Sequence, residues 1–168
     1  MLNLSLIRHA DSDLINFNGN DMSRPISSQG VEKTEKILCF LKRKKISFEE
    51  IFCSPSRRTI ETLQLLGKIS HNPKIQYLDD LYHSSGVDIF DTVMLEAQKK
   101  KVLIVSHQPL LSNSINSFFS GSKNKYYYDA ITSFNTSALF NVSFNCEKWH
   151  QILKSNAVLN FFVKPSEL

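Results

Sequence analysis

Short apolar runs alternate with amphipathic stretches along most of the chain. The runs have the length of strands, and the stretches between them carry apolar residues at helical spacing. Strands are predicted at residues 2–7, 50–53, 75–78 and 102–105, and helices at residues 31–44, 55–68, 87–98 and 109–119. The run at 102–105 is wholly apolar, as is typical of a central strand in a parallel sheet. The alternation predicts an α/β domain of three layers, with helices flanking a mostly parallel sheet. No linker or repeat divides the chain, so residues 1–168 are treated as a single domain.

The pattern changes towards the end of the chain. Residues 137–144, "SALFNVSF", alternate in polarity and predict a strand. With the segment from Trp149, this strand is expected to form a hairpin whose turn covers residues 145–148. Before it, Tyr126, Tyr127 and Tyr128 suit either a contact surface for a protein substrate or the start of a half-buried strand.

Polar side chains follow three of the predicted strands at the point where each strand ends. Arg8 and His9 follow the first strand, "CSPSRR" follows the second, and His107 follows the apolar strand. In open α/β sheets, ligands bind beyond the carboxyl ends of the strands. The pattern therefore predicts one crevice that gathers two histidines and up to three arginines.

Histidine and arginine in one crevice indicate phosphate chemistry. Guanidinium groups bind phosphate oxygens in a bidentate fork and remain charged at any relevant pH. Arg58 falls in the first turn of its predicted helix, where free backbone N–H groups also favour an anion. A neutral imidazole can attack phosphorus, and a second, protonated imidazole can stabilise charge on the equatorial oxygens. We therefore expect Arg8 to hold a phosphoryl group and His9 to attack it.

Four ordered segments resemble those of a known family. They are "LIRHADSD", "DMSRPISSQG", "SPSRRTIET" and "IVSHQPL". Together they resemble the histidine phosphatase superfamily, the phosphoglycerate-mutase-like enzymes, and within it the small phosphohistidine phosphatases of the SixA type. The resemblance covers residues 2 to about 110.

The resemblance implies a role for each matched residue. His9 becomes the phosphorylated nucleophile, Arg8 and Arg58 bind the phosphate, and His107 is the second histidine of the pocket. Arg57 is then a surface charge. Two positions depart from the family pattern. Ala10 stands where glycine is usual, and Ile15 stands where the mutases carry asparagine, which argues against a phosphosugar mutase.

Two other polar residues, Arg24 and Ser54, can each be interpreted in two ways. Arg24 either lines the pocket rim or fixes the loop before Pro25. Ser54 either donates a hydrogen bond into the pocket or caps the following helix, and capping is the favoured interpretation. The remaining histidines, His71, His83 and His150, are interpreted as surface or loop residues.

The leaving group determines whether the site needs an acid. An alkoxide leaves poorly without protonation by a carboxylic acid, whereas imidazole, with a conjugate-acid pKa of about 6.5, leaves with little help. The resemblance implies a glutamate in ester-hydrolysing members near "YLDDLYHSSG", where this chain offers Asp79 and Asp80. Asp80 is the candidate proton donor, and the alternative is a solvated strand end.

Four functions therefore stay open. The first is hydrolysis of phosphohistidine in a signalling protein, for example a phosphorelay histidine domain. The second is a phosphomonoesterase for a small phosphorylated metabolite. The third is a non-catalytic module that binds phosphorylated proteins. The fourth, a metal centre of His9, Asp11 and Asp13, is disfavoured because the flanking arginines would repel a cation.

Composition and charge limit the partners and the cellular location that we expect for the protein. The formal net charge of +4 is mild, and no basic stripe interleaves with aromatic residues, which argues against a nucleic-acid partner. Neither a signal peptide nor an apolar run of membrane-spanning length is present in the sequence. Three cysteines, an odd number without a CxxC pair, favour free thiols in the cytoplasm. We expect a cytoplasmic monomer that uses no cofactor and no metal.

Overall fold

The computed structural model describes residues 1–13, 17–82 and 86–168 of the chain. Within these ranges the chain forms six strands and five α-helices. The strands are β1 (Leu2–Arg8), β2 (Glu50–Cys53), β3 (Lys74–Tyr77), β4 (Lys101–Ser106), β5 (Leu139–Phe144) and β6 (Ala157–Val163). The helices are α1 (Ser28–Arg43), α2 (Arg57–Leu66), α3 (Ile89–Glu96), α4 (Leu110–Phe119) and α5 (Lys125–Thr132).

All six strands join one sheet in the order β3-β2-β4-β1-β5-β6. Strands β3, β2, β4 and β1 pair in parallel, whereas β5 is antiparallel to both of its neighbours. Every strand except β5 therefore runs in the same direction. The predicted mostly parallel sheet is confirmed.

Helices cover both faces of the sheet. On one face, α1 and α2 pack through residues such as Ile37, Leu41 and Leu63. On the other, α3, α4 and α5 pack around a larger core that includes Phe90 and Ile115. The structure therefore has the three layers that the sequence predicts.

The register of the sheet brings three strand ends together. Arg8 of β1 pairs with Ser106 of β4, and Val105 of β4 pairs with Cys53 of β2. His9 and His107 consequently follow directly after paired residues of adjacent strands.

Two helices are shorter than predicted. The second was expected to start at Pro55, but α2 begins at Arg57 with Ser56 as its N-cap residue. Arg58 still lies in the first turn, as predicted. The third helix covers Ile89–Glu96 instead of residues 87–98. It begins later because Asp88 caps it, accepting a hydrogen bond from the backbone N–H of Phe90, and it ends earlier at Ala97, which has an extended backbone. No helix formed by the described residues is long and apolar enough to cross a membrane.

One prediction for the last third of the chain is wrong, and one of two alternatives for the tyrosines is excluded. The partner strand of β5 begins at Ala157 and not at Trp149, because Trp149 is buried in the core on a 3-10 turn. The three tyrosines lie in α5 and not in a strand. Tyr127 is buried there, and its hydroxyl donates to Oδ1 of Asn116 at 2.7 Å, whereas Tyr128 is exposed. Only Tyr128, and not the whole segment, remains fully available as a contact surface.

Stability should depend on the core against β1. Leu4 is completely buried, whereas Leu95 on α3 is 83% exposed. Leu4→Ala removes buried methyl groups and leaves a cavity, so we expect it to lower the free energy of unfolding by about 2–5 kcal/mol. Leu95→Ala should change it by less than about 0.5 kcal/mol. Urea denaturation of both variants measures this, and equal losses would contradict the assignment of the core.

Candidate active site

A cavity of about 420 Å³ lies beyond the carboxyl ends of β1 and β4. Its lining is polar and is contributed by loops as well as by strand ends. The lining residues are Arg8, His9, Asp11, Ser12, Arg24, Arg58, Tyr82, His107, Gln108 and Thr136. The structure thus brings together the four residues that the sequence predicts as the core of the site.

The ring of His9 is nearly buried and its tautomer is defined by one contact. Nδ1 lies 2.7 Å from the carbonyl oxygen of Ala10. A carbonyl only accepts, so Nδ1–H donates and Nε2 carries the lone pair. Burial, together with the positive charges of Arg58, Arg8 and Arg24, lowers the pKa of His9 to about 4, although the hydrogen bond with Ala10 opposes this shift. His9 is therefore neutral at physiological pH, as an imidazole nucleophile must be.

His107 faces His9 across the cavity, with the two ring centroids 4.9 Å apart. Its Nδ1 lies 3.3 Å from Nη2 of Arg58, and its Nε2 lies 2.8 Å from Oγ of Ser54. Because a guanidinium only donates, Nδ1 accepts and Nε2–H donates to Ser54. A protonated second histidine is expected from the sequence, whereas the contacts with Arg58 and Ser54 favour a ring whose proton lies on Nε2. Protonation at Nδ1 would have to break the contact with Arg58.

Three guanidinium groups line the cavity among the described residues. Nη1 of Arg8 donates to the carbonyl oxygen of Phe134 at 3.0 Å, and both terminal nitrogens of Arg58 donate to Asp21. Nε of Arg8 and Nε of Arg58 are buried without a hydrogen-bond partner. Buried donors without partners are costly unless something binds them. An anion in the cavity would satisfy this need.

Asp11 ties the loop after β1 to three other parts of the chain. Its carboxylate accepts from Nζ of Lys33 and from Oγ1 of Thr136, each at 2.6 Å. Its backbone carbonyl accepts from the N–H of Ser27 at 2.8 Å. A Cβ at Gly30 would lie 2.3 Å from that same carbonyl oxygen, so only glycine allows α1 to approach this closely. Close packing between α1 and the loop after β1 therefore requires glycine at position 30, the last residue of "DMSRPISSQG".

Alanine at position 10, where the family usually has glycine, does not strain the backbone. Ala10 is fully buried, and its N–H donates to Oγ1 of Thr62 at 2.9 Å. It does not adopt a positive φ. Alanine is therefore compatible with the local conformation.

Both interpretations of Arg24 describe it correctly, whereas the favoured interpretation of Ser54 is wrong. Arg24 lines the cavity, and it also fixes the loop by donating to Oγ of Ser12 at 2.8 Å and to Oδ1 of Asp21 at 2.7 Å. Ser54 does not cap α2, whose N-cap residue is Ser56. Ser54 is fully buried and is not a rim residue either, because it lies behind His107 and accepts the Nε2–H of that ring.

Asp80 does not lie with the other predicted site residues. It is exposed on the 3-10 turn Asp79–Leu81 and does not line the cavity.

Arg57, also exposed, pairs with Glu61 as a surface charge. His71 and His150 are exposed, as predicted, and they lie outside the cavity. Ile15 and His83 lie outside the described residues.

Asp11, which lines the cavity, and Asp21, which binds two of the lining arginines, are both held in the ionised form. Burial opposes ionisation of Asp11, but hydrogen bonds from Lys33 and Thr136 lower its pKa. Burial likewise opposes ionisation of Asp21, but hydrogen bonds from Tyr82, Arg58 and Arg24 hold its pKa well below the usual range. Neither carboxyl group carries a proton to give to a leaving group at neutral pH.

Sequence reasoning assigned no role to Asp21 or Tyr82. Tyr82 packs edge-on against His107, with ring centroids 5.4 Å apart, and its ring lies 5.8 Å from the guanidinium carbon of Arg58. Its hydroxyl donates to Oδ2 of Asp21 at 2.7 Å. The spacing of Asp21 and Arg24, three residues apart, was the available signal for an ion pair around the site.

The metal-centre alternative does not fit the described residues. Among them, no group of three or more His, Cys, Asp or Glu side chains could hold a metal ion. The carboxylate of Asp11 is already bound by Lys33 and Thr136, and Nδ1 of His9 is bound by Ala10.

Comparison with known proteins agrees with this geometry. The sequence model of the histidine phosphatase superfamily, branch 1, matches residues 4–85, a range that includes Arg8, His9 and Arg58. The chain is thus similar to the histidine phosphatase superfamily over just under half of its length. It is also 26% identical over 110 residues to the phosphohistidine phosphatase SixA of Escherichia coli K12, an alignment that covers 63% of this chain and 67% of that protein.

Solved structures show the same fold. The protein histidine phosphatase SixA complexed with tungstate superposes with a TM-score of 0.77 at 22% identity, covering 99% of each chain. The α-ribazole phosphatase from Shigella flexneri superposes with a TM-score of 0.62 at 15% identity, covering 98% of this chain and 97% of that one. Similarity to histidine phosphatases of the SixA type indicates that the protein is a phosphatase.

The environment of His9 predicts its titration. In an NMR titration, the imidazole signal of His9 should have its midpoint near pH 4, as burial and the surrounding arginines dictate. Arg58→Gln removes one of these positive charges and should move the midpoint upward. A midpoint in the wild-type protein at the ordinary histidine value of about 6.5 would contradict this environment.

Proposed function

We propose that the protein hydrolyses phosphohistidine through a covalent phosphohistidine intermediate on His9. One observation carries the proposal. Nδ1–H of His9 is bound by the Ala10 carbonyl, which leaves a neutral Nε2 as the lone-pair nitrogen in a cavity lined by Arg8, Arg24 and Arg58. A nucleophile and an anion-binding group are thereby adjacent.

The first step transfers the phosphoryl group to the enzyme. Arg8 and Arg58, each with a buried and unpartnered Nε, bind the phosphoryl oxygens. The lone pair on Nε2 of His9 attacks phosphorus, and the bond between phosphorus and the substrate nitrogen breaks. The substrate ring, already protonated on its other nitrogen, keeps the electron pair of that bond and leaves as neutral imidazole. Guanidinium groups fixed before the reaction stabilise the charge on the equatorial oxygens.

The second step regenerates the enzyme. A water molecule attacks the phosphorus of phosphorylated His9, and the bond between phosphorus and Nε2 breaks. Inorganic phosphate leaves, and His9 returns to its neutral form. The sum of the two steps is phosphohistidine plus water giving histidine plus phosphate.

The acids of the site favour a nitrogen leaving group over an alkoxide. Asp11 lines the cavity and Asp21 binds two of its arginines, but both carboxyl groups are held in the ionised form, and Asp80 is exposed on a turn outside the lining. A phosphate ester would need a protonated acid near its leaving oxygen. Imidazole leaves without one, and this difference supports phosphohistidine as the substrate class.

A protein substrate suits these observations. The SixA proteins that this chain resembles are named as phosphohistidine phosphatases, and one is named as a protein histidine phosphatase. We therefore propose a phosphorylated histidine on a signalling protein in the cytoplasm as the substrate, with a phosphorelay histidine domain as the partner class.

Loss of the nucleophile should abolish turnover. His9→Ala removes the attacking nitrogen, so we expect activity to fall at least about a thousandfold while the protein stays folded. Rapid quenching of the wild-type protein during turnover should trap acid-labile phosphate on His9, located by mass spectrometry. The matched control is His150→Ala, which removes an exposed histidine outside the cavity and should leave activity unchanged.

Two results would contradict this mechanism. Trapped phosphate on a residue other than His9 would refute the nucleophile assignment. A phosphorylated His9 that never hydrolyses would instead indicate the non-catalytic binding module.

The role of Asp80 separates phosphohistidine from phosphate esters. If phosphohistidine is the substrate, Asp80→Asn should change its hydrolysis by less than about twofold because no carboxylic acid assists the imidazole. The measurement compares free phosphohistidine with a panel of phosphate monoesters, for the wild type and for the variant. Faster turnover of a monoester by the wild type, together with a loss of about a hundredfold in the variant, would favour the phosphomonoesterase.

A further inference from the structure

Asp21 connects three of the side chains around the cavity. Its carboxylate accepts from Nη2 of Arg24 at 2.7 Å, from Nη2 of Arg58 at 2.8 Å and from the hydroxyl of Tyr82 at 2.7 Å. Its backbone carbonyl accepts from Nη1 of Arg58 at 2.6 Å. Four hydrogen bonds therefore converge on one residue that is outside the cavity lining.

The contacts with Asp21 occupy only one edge of the Arg58 guanidinium. Nη1 and Nη2, which form the terminal edge, both donate to Asp21. The neighbouring edge consists of Nε–H and the second N–H of Nη2. Nε has no partner, and Nη2 lies 3.3 Å from Nδ1 of His107, which lines the cavity. A guanidinium can bind one anion with each edge, and on this second edge Nε–H is the group left for a phosphoryl oxygen.

The same contacts could instead make Asp21 a competitor that occupies the place of the phosphoryl group. Two observations argue against competition. Asp21 approaches from the rim, since its side chain is 46% exposed while that of Arg58 is 5% exposed. One of the two oxygens that hold Arg58 belongs to the backbone of the 3-10 turn Asp21–Ser23, which Asn20 caps by accepting from the N–H of Ser23. An entering anion could not displace that oxygen without moving the turn.

We infer that Asp21 is a positioning residue that holds Arg58 by its terminal edge and so presents the Nε edge to the phosphoryl group. Arg24 and Tyr82 in turn hold the carboxylate of Asp21 in place. The inference rests on the proposed function, because it assigns Arg58 to phosphoryl binding. It adds a residue that acts on phosphoryl binding through that arginine.

Binding of orthovanadate, measured by isothermal titration calorimetry, tests this role without turnover. Asp21→Asn keeps the shape of the side chain but weakens the contacts with both arginines, so vanadate affinity should fall by about tenfold. Asp79→Asn is the matched control, because it removes the same charge from an exposed position outside the cavity. It should change the affinity by less than about twofold.

A double-mutant cycle shows whether Asp21 acts through Arg58. In an Arg58→Gln background, Asp21→Asn should change vanadate affinity by less than about twofold, because the group it positions is gone. Thermal unfolding of each variant checks that all of them remain folded.

Three results decide the inference. A loss of about tenfold that disappears in the Arg58→Gln background supports it. Unchanged or tighter vanadate binding by Asp21→Asn overturns it, because that result is expected of a competing carboxylate. An equal loss in both backgrounds also overturns it, since the effect would not pass through Arg58. Wild-type protein that binds vanadate but hydrolyses no phosphohistidine would contradict the proposed substrate while the vanadate affinities still decide the role of Asp21.

Discussion

The hydrogen bond from Nδ1 of His9 to the carbonyl oxygen of Ala10 determines what the rest of the site can do. At 2.7 Å it fixes the proton on Nδ1 and leaves the lone pair on Nε2. Without it the ring could present either nitrogen, and the arginines would surround a group of undefined reactivity. The contact joins adjacent residues, so its geometry depends on how firmly the chain is held just after β1. The N–H of Ala10 is bound by Thr62 of α2, and the N–H of His9 donates to the carbonyl of Ser106 on β4.

The arginines have two effects that reinforce each other. They attract an anion, and after burial their charges are the next influence that lowers the pKa of His9, to about 4. Between a pH of about 4 and a pH of about 6.5, His9 is protonated in the unfolded chain but neutral in the folded chain. Folding stability therefore falls as the pH decreases through this window. The neutral nucleophile is thus maintained at the expense of stability in acid, as is common where function opposes folding.

The sequence was sufficient to predict the residues whose positions follow from sheet topology. Arg8, His9 and His107 come directly after strands, and parallel strands place their carboxyl ends at one edge. The roles of Ser54, Asp21 and Tyr82 could not be predicted, because each depends on side-chain contacts between segments distant in sequence. Ser54 was interpreted as a cap since Ser before Pro is typical of helix starts, but the register of β2 against β4 places it beside His107. The strand alternative for the tyrosine segment is wrong because a short apolar and aromatic run fits a helix as well as a strand.

The loop between α5 and β5 lies outside the recognised sequence motifs, but its residues bind Arg8, His9 and Asp11 and so help to form the site. Phe134 accepts from Arg8 through its carbonyl, and Thr136 donates to Asp11. Ser137 adopts a φ of 58°, and its N–H lies 3.1 Å and 3.2 Å from the carbonyl oxygens of Arg8 and His9. A left-handed conformation is unfavourable for serine, and it persists here because neighbouring contacts require it. Its hydroxyl, 2.9 Å from that of Thr34, links the same point to α1. The strain is therefore located where the backbone of the nucleophile must be held, which is where the hydrogen bond between His9 and Ala10 needs a rigid frame.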